Sequence, residues 1–164
     1  MASVTETVHV RLRGVSVDDA AAITRLLQGD TALALQTATI PIPYTFGNAQ
    51  DFLSTADPQR IFAITVEGDL VGMIGMAGSG EIVEIGYWIG RIHWQKGYAT
   101  AAVSLLIQEA RLRGVSRLIA EVFPDNLASA RVLEKNGFLR VGEVQRDLSQ
   151  RGGMRLLIRF QREL

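Results

Sequence analysis

The stretch from Ile82 to Ala110 constrains this chain more than any other, because its hydrophobic period changes once, across a glycine-bounded loop. Val83, Ile85, Tyr87 and Ile89 alternate on one face, the pattern of a strand. From Tyr98 onward, that alternation gives way to Ala99, Val103, Leu106, Ile107 and Ala110 on one face of a helix that stops at Gly114. A strand, a tight loop and a helix start make an anion site, since unpaired backbone N–H groups converge there and the helix dipole adds partial positive charge. Gly97 admits close approach of a phosphate, and Lys96 adds a point charge. By physics alone the loop suits a pyrophosphate and other phosphates equally.

The flanking sequence predicts a mixed sheet. Val8 to Arg13 alternates as a strand; Ser16 then caps a helix with Asp18 and Asp19 in its first turn and Ala22, Ile23, Leu26 and Leu27 as its apolar stripe, ending near Gly29. Pro41 and Pro43 exclude a helix over 40–44, and a short helix is expected around Ala49 to Ser54. Strands Ile61 to Glu67 and Leu70 to Ala77, joined at Gly68-Asp69, read as a hairpin, followed by the strand Ile82 to Ile89. Ser116 to Val122 is a strand, Asp125 or Asn126 caps a second helix closed by Asn136-Gly137, and strands near Phe138 to Gln145 and Met154 to Gln161 flank Arg151-Gly152-Gly153. The order implies an α/β fold, one domain over 1–164, with helices on both faces of a mixed sheet.

Composition narrows the function classes. At 164 residues one hydrophobic core serves one domain. Seventeen basic residues balance seventeen acidic ones, so no single-sign field argues for nucleic acid or an anionic membrane. The absence of cysteine removes disulfides, thiolate zinc sites and cysteine nucleophiles. His9 and His93 lack a third ligand at metal-binding spacing, so no metal is expected. Met1 to Val10 lacks the apolar core of a secretory signal, and no uncharged run of ~20 residues exists. The expectation is a cytoplasmic protein, monomeric or homodimeric.

Three motifs then carry a resemblance. The first is Tyr87-Trp88 followed by Trp94-Gln95-Lys96-Gly97-Tyr98-Ala99-Thr100; the second is Asn126-x-x-Ser129-x-x-x-Leu133-Glu134-Lys135-x-Gly137-Phe138; the third is Pro41-x-Pro43-Tyr44-Thr45. Together these resemble the GCN5-related N-acetyltransferase (GNAT) family, particularly its subgroup that acetylates ribosomal-protein N-termini, from about Arg11 to the C-terminus. The resemblance implies the splayed GNAT sheet, a pyrophosphate loop at about 94–100, a closing strand–helix–strand unit at about 116–146, and acetyl-CoA as cosubstrate. It places cofactor contacts on Trp88, Ile89, Trp94, Gln95, Lys96, Gly97, Tyr98, Ala99, Thr100, Asn126, Ser129 and Lys135, and acceptor contacts on Tyr44, Phe46, Glu84 and Trp88. Two positions depart from the family pattern. Gln95 stands where the loop has its first glycine, and Ala101 where the subgroup carries Glu.

The implied chemistry is direct transfer of an acetyl group to an amine, which needs a neutral amine, stabilisation of the carbonyl oxygen and a proton for the leaving sulfur. Backbone N–H groups near Trp88 and Ile89 are the expected oxygen donors. Glu84 is the candidate base, through water, with Glu81 as a nearby rival; Ser129 is the proton donor by position, and Asn126 the partner of the pantetheine amides. An N-terminal amine of pKa ~8 is roughly 10% neutral at pH 7, against well below ~0.1% for lysine, which favours N-terminal amines as acceptors. Polyamines, amino sugars or antibiotics are the alternative acceptors, and a CoA-binding module without transfer activity is the alternative from another class.

Plainer readings stand beside these. Asn126 reads equally as a helix cap, Ser129 as a helix residue bonding back to the preceding turn, Glu84 as an exposed strand residue, and Trp88 and Tyr44 as core aromatics. The run Gly72-x-x-Gly75-x-x-Gly78-x-Gly80 lies within and after a strand and precedes another strand, so it is not a dinucleotide fingerprint. Strand glycines that permit close approach of backbone or ligand are the better account.

Overall fold

Alternating residues at the start of the chain form β1 (Val10–Gly14) in the computed structural model, which describes residues 9–164; the expected strand start at Val8 lies outside those residues. Ser16 then caps a single 3₁₀ turn, Val17–Asp19, in a reciprocal box with Asp19, and α1 (Ala20–Leu27) continues from it. A helix absent from the sequence expectation follows, α2 (Thr31–Leu35), started by Asp30, whose side chain accepts from the Leu33 N–H. The next helix, α3 (Phe46–Thr55), begins three residues earlier than the predicted Ala49, because Thr45 and Asn48 form a second capping box.

The hairpin β2 (Ile61–Val66) and β3 (Asp69–Ala77) turns at Glu67-Gly68, one residue before the predicted Gly68-Asp69. Both turn residues have positive φ, 52° and 87°, as the twist of a two-residue hairpin demands, so Asp69 pairs with Val66 inside the ladder. β4 (Ile82–Ile89), α4 (Tyr98–Leu112), β5 (Arg117–Val122), α5 (Leu127–Lys135), β6 (Leu139–Leu148) and β7 (Gly153–Glu163) follow the predicted order.

The seven strands form one sheet in the order β1-β2-β3-β4-β5-β7-β6, in which β4 and β5 are parallel and every other neighbouring pair antiparallel. One face packs on α4 and α5 through Val103, Leu106, Leu118, Leu133, Phe138 and Ile74, all buried. The other packs on α1 and α3 through Ile23, Leu27, Ala49, Ala63 and Met73. Gly72 shows why a strand glycine was needed: a Cβ there would stand 2.1 Å from the Trp88 carbonyl oxygen on β4. Among the described residues no helix is long and apolar enough to cross a membrane.

Candidate active site

Parallel pairing of β4 with β5 lasts for three residues, Ile82↔Arg117, Val83↔Leu118 and Glu84↔Ile119, and then ends. Beyond that point β4 stays with β3 while β5 stays with β7, whose ladder continues to Val122↔Ile158. The backbone groups of β4 past Glu84 that face β5 therefore have no strand partner, an arrangement tolerated only where solvent or a ligand satisfies them. A groove of about 840 Å³ opens at this parting. Glu84, Gly86 and Trp88 line it from one face of β4, Tyr44 and Asp51 from the α2–α3 side, and Asn126 and Ser129 from α5. The sequence placed these residues 85 positions apart; the splay brings them to one opening.

At the far end of β4 the loop holds the expected helix start in an open form. Gln95 has φ 61° and Gly97 φ 78°, so Gln95 occupies the left-handed region that glycine fills in the family pattern. The departure in residue type therefore keeps the glycine-like backbone, at a cost of about 1–2 kcal/mol. Whereas α2, α3 and α5 are capped by Asp30, Thr45 and Asn126, no side chain caps α4, which leaves its first N–H groups available to an anion. Trp94 donates its indole N–H to the Ile89 carbonyl at 2.7 Å and thereby ties the loop to the end of β4. Arg91 lies over the Trp94 ring at 4.9 Å while forking onto both Asp30 oxygens at 2.7 and 2.8 Å.

Asn136, which the sequence assigned only to a helix stop, supplies the other tie. Its buried side-chain amide donates to the Thr100 carbonyl at 3.2 Å and the Val132 carbonyl at 2.9 Å. That joins the end of α5 to the first turn of α4 and sets Lys135, exposed, beside that junction. Asn126 is the helix cap: its Oδ1 accepts from the Ser129 N–H at 3.2 Å, which leaves its amide N–H groups facing the groove it lines.

Ser129 does not simply face solvent. Its Oγ lies 2.8 Å from the Tyr87 hydroxyl, which also donates to the Ser129 carbonyl at 3.1 Å. Burial pushes the Tyr87 phenol up to about 12, partly countered by the bond to Ser129, so it holds its proton at neutral pH. A buried tyrosine needs a hydrogen-bond partner, and that requirement was the one sequence signal for this pair.

Glu84 remains accessible from the groove, yet desolvation by its surroundings raises its carboxyl above the ordinary range, and the nearby Glu121 charge pushes the same way. Glu121 itself is held low, chiefly by the Arg146 hydrogen bonds and further by Arg159, against its own burial. Two acids on adjacent strands are thus driven apart in acidity, Glu84 upward and Glu121 downward. Glu81 sits outside the groove lining, before the start of β4, where its carbonyl accepts from Ser116 and Arg117.

The irregular segment after α2 owes its shape to Arg151. This residue is 6% exposed and has carbonyls rather than an acid as partners: Thr37, Ala34, Ile40 and Gln150, at 2.7 to 2.9 Å. Desolvation lowers its pKa. It pins the β6–β7 tip to the 37–41 wall of the groove, a contact across 111 to 117 positions that no local pattern foreshadows. Tyr44 is buried in the same wall, and that burial raises its phenol.

Not every expected contact converges. Phe46 starts α3 with an exposed side chain and is not part of the groove lining; Ile89 is buried and is not part of the lining either. Lys96 is exposed, and Tyr98, Ala99 and Thr100 are half-buried in the first turn of α4. Among the described residues no group of three or more His, Cys, Asp or Glu could hold a metal ion.

Residues 9–139 match the acetyltransferase (GNAT) domain model. The uncharacterized N-acetyltransferase YoaA of Bacillus subtilis is 38% identical over 88 residues, which cover 51% of this chain and 50% of that relative. The chain thus spans about half the length of the curated relative it matches. Among solved structures, a GNAT-family acetyltransferase from Bacillus anthracis superposes with a TM-score of 0.82 at 21% identity, covering 96% of each chain. Mycobacterium smegmatis RimJ, solved in complex with CoA-disulfide, superposes with a TM-score of 0.78 at 25% identity over 94% of this chain and 81% of that one.

Proposed function

Since the chain belongs to the acetyltransferase (GNAT) family, we propose that it transfers an acetyl group directly from acetyl-CoA to the α-amine of a peptide or protein N-terminus. The observation that carries this reading is the parting of β4 and β5 after Glu84↔Ile119, with Glu84 and Ser129 on the two sides of the opening. Acetyl-CoA, when bound, supplies the activated thioester. The residues present fit it. The uncapped start of α4, the left-handed Gln95 and Gly97 and the exposed Lys96 suit its phosphates, with Lys135 near by. Asn126 has free amide donors for the pantetheine arm, and the unpartnered N–H groups of β4 near Trp88 and Ile89 suit the carbonyl oxygen.

Glu84 takes a proton from the incoming amine through water, helped by a carboxyl pKa raised by burial. As the amine nitrogen bonds to the carbonyl carbon and the carbon–sulfur bond breaks, Ser129 gives its Oγ proton to the departing sulfur and regains one from solvent in the groove, with the Tyr87 hydroxyl 2.8 Å away to turn from the Ser129 carbonyl and donate to that oxygen meanwhile. The N-terminal α-amine is favoured over lysine because its lower pKa leaves roughly 10% neutral at pH 7. The groove walls also suit a chain rather than a bare cation, since Ile40, Pro41, Phe52 and Leu157 line them.

The test is a thermal-melting titration with acetyl-CoA, using nicotinamide dinucleotide and ATP as controls, followed by thiol release on an amine and peptide panel. A ligand at ~100 times its dissociation constant stabilises the fold by about 2.7 kcal/mol. A shift with acetyl-CoA alone and turnover on peptide amines are expected. Binding without turnover on any amine would leave a CoA-binding module, and no shift at millimolar acetyl-CoA would refute the cofactor assignment.

A further inference from the structure

The groove carries a second polar group that base and proton donor do not use. Glu121 on β5, with only 5% of its side chain exposed, accepts from two arginines at once. Arg146 on β6 forks onto it through Nε and Nη2 at 2.9 and 2.8 Å, and Arg159 on β7 reaches Oε1 through Nε and Nη2 at 3.1 and 2.6 Å. One carboxylate between two guanidiniums leaves one positive charge in excess. Arg146 is 45% exposed and lines the groove, and its Nη1 group has no hydrogen-bond partner among the described residues. Arg155, paired with Arg146 across the β6–β7 ladder, adds a further positive charge on the same sheet face. The acids that line the groove without an ion-pair partner among the described residues, Glu84 and Asp51, stand on β4 and α3. The site is therefore dipolar, negative toward β4 and α3 and positive toward β6. Glu84 pairs with Ile119, and Glu121 stands two residues, roughly 7 Å, further along β5, so Glu121 and its two arginines sit past the point where β4 and β5 part.

We infer that the acceptor is zwitterionic, an N-terminal amine that meets Glu84 and carries a carboxylate several bonds away that binds Arg146. A polyamine would set its second cation against the arginine excess, whereas an acidic peptide N-terminus places opposite charges at both poles. The carboxylate is an acidic side chain within the first two residues or the C-terminus of a dipeptide. This inference rests on the acetyl-transfer reading above.

The experiment compares matched acceptors by thiol release: tetrapeptide amides beginning Ser-Asp or Ser-Asn, and Ser-Ala with a free or amidated C-terminus. The first pair reads a side-chain carboxylate and the second a terminal one. At least one acid member is expected to show a KM about tenfold below that of its neutral partner, the scale of one charge-assisted hydrogen bond. Arg146→Gln removes that ratio and Arg146→Lys keeps part of it, while acetyl-CoA affinity stays near wild type. Equal KM within both pairs, or a preference that survives in Arg146→Gln, would overturn the inference. Calorimetry of the same peptides on the CoA-loaded protein separates the two readings. Carboxylate-selective binding without turnover sinks acetyl transfer and upholds the zwitterion site; turnover without carboxylate selectivity does the reverse.

Discussion

The Tyr87 hydroxyl stands 2.8 Å from Ser129 Oγ and 3.1 Å from the Ser129 carbonyl, so a tyrosine on β4 holds the serine of α5 across the opening between them. Tyr87 has one proton to give: while it is on the Ser129 carbonyl the serine hydroxyl donates to the phenol, and when it turns to Oγ the serine proton is free to point into the groove. Tyr87→Phe is expected to lower kcat by about tenfold with little change in the KM for acetyl-CoA, the cost of one hydrogen bond in a buried site. Ser129→Ala is expected to lower kcat by about a hundredfold, the lower bound for loss of a general acid. Steady-state kinetics on both variants checks the split; an unchanged kcat in Ser129→Ala removes the serine from the proton path.

Glu84 sets the acid side of the rate profile. Its carboxyl is raised above the ordinary value of 4.5, first by desolvation and then by Glu121, and the base form is the deprotonated one. Activity is therefore lost as pH falls through that raised value, so the acid limb of kcat/KM lies above the ordinary carboxylate range. In Glu84→Gln the rate falls about a hundredfold and the limb disappears. A pH–rate series from 4 to 9 reads both effects, and a limb that persists unchanged in the variant assigns the base elsewhere.

Gln95 already holds a glycine-like φ of 61°. Gln95→Gly is therefore expected to leave the acetyl-CoA dissociation constant within about threefold of wild type. Gln95→Val places a β-branched side chain in the left-handed region, where it strains the loop, and is expected to weaken binding by about tenfold or more. Thermal-shift titration of the two variants distinguishes a loop read by its backbone from one read by the glutamine side chain.

Asp19 ties the strand β1 to the first turn of the helical layer. It accepts from Arg13 at 2.7 and 2.9 Å and from the Ser16 N–H at 2.9 Å, and the Arg13 hydrogen bonds hold its carboxyl below the ordinary 3.8. A lowered folded-state pKa contributes stability that is present above the unfolded value and lost as pH falls through the folded one. Wild type is expected to lose stability as pH falls below the ordinary 3.8 more steeply than Asp19→Asn, measured by denaturant melts across the acid range.

Among the described residues Arg151 has no acid as a partner, and its charge is compensated chiefly by carbonyl dipoles. Arg151→Ala leaves those carbonyls unpaired in a buried wall and is expected to cost about 3 kcal/mol. Arg151→Lys cannot reach three separate carbonyls with one ammonium and is expected to recover less than half of that. Denaturant unfolding gives the energies, and the acceptor KM reports whether the 37–41 wall has moved.

Local patterns made much of this protein legible. The alternation of Val83, Ile85, Tyr87 and Ile89, the stripe from Ala99 to Ala110 and the stop at Asn136-Gly137 all appear where the sequence placed them, because each depends on neighbours within one or two turns. The family motifs lie on the same local elements, which is why the loop and the Asn126–Ser129 helix start could be found without a fold. The misses have one cause. α2 was overlooked because five residues present too short a stripe, and the hairpin turn slipped by one because Glu67 is not a residue that favours positive φ.

What the sequence determined by itself is the order of the elements other than α2 and the two helix starts, since these rest on periodicity and capping, while the candidate base and proton donor came from the family resemblance. Only the tertiary structure decided that β4 and β5 part after Glu84, that Tyr87 holds Ser129, that Glu121 collects Arg146 and Arg159, and that Arg151 anchors the groove wall. Each of these contacts joins residues 25 to 117 positions apart. Such pairings are set by strand order and the splay of the sheet, and a one-dimensional pattern carries no record of which strand becomes which strand's neighbour.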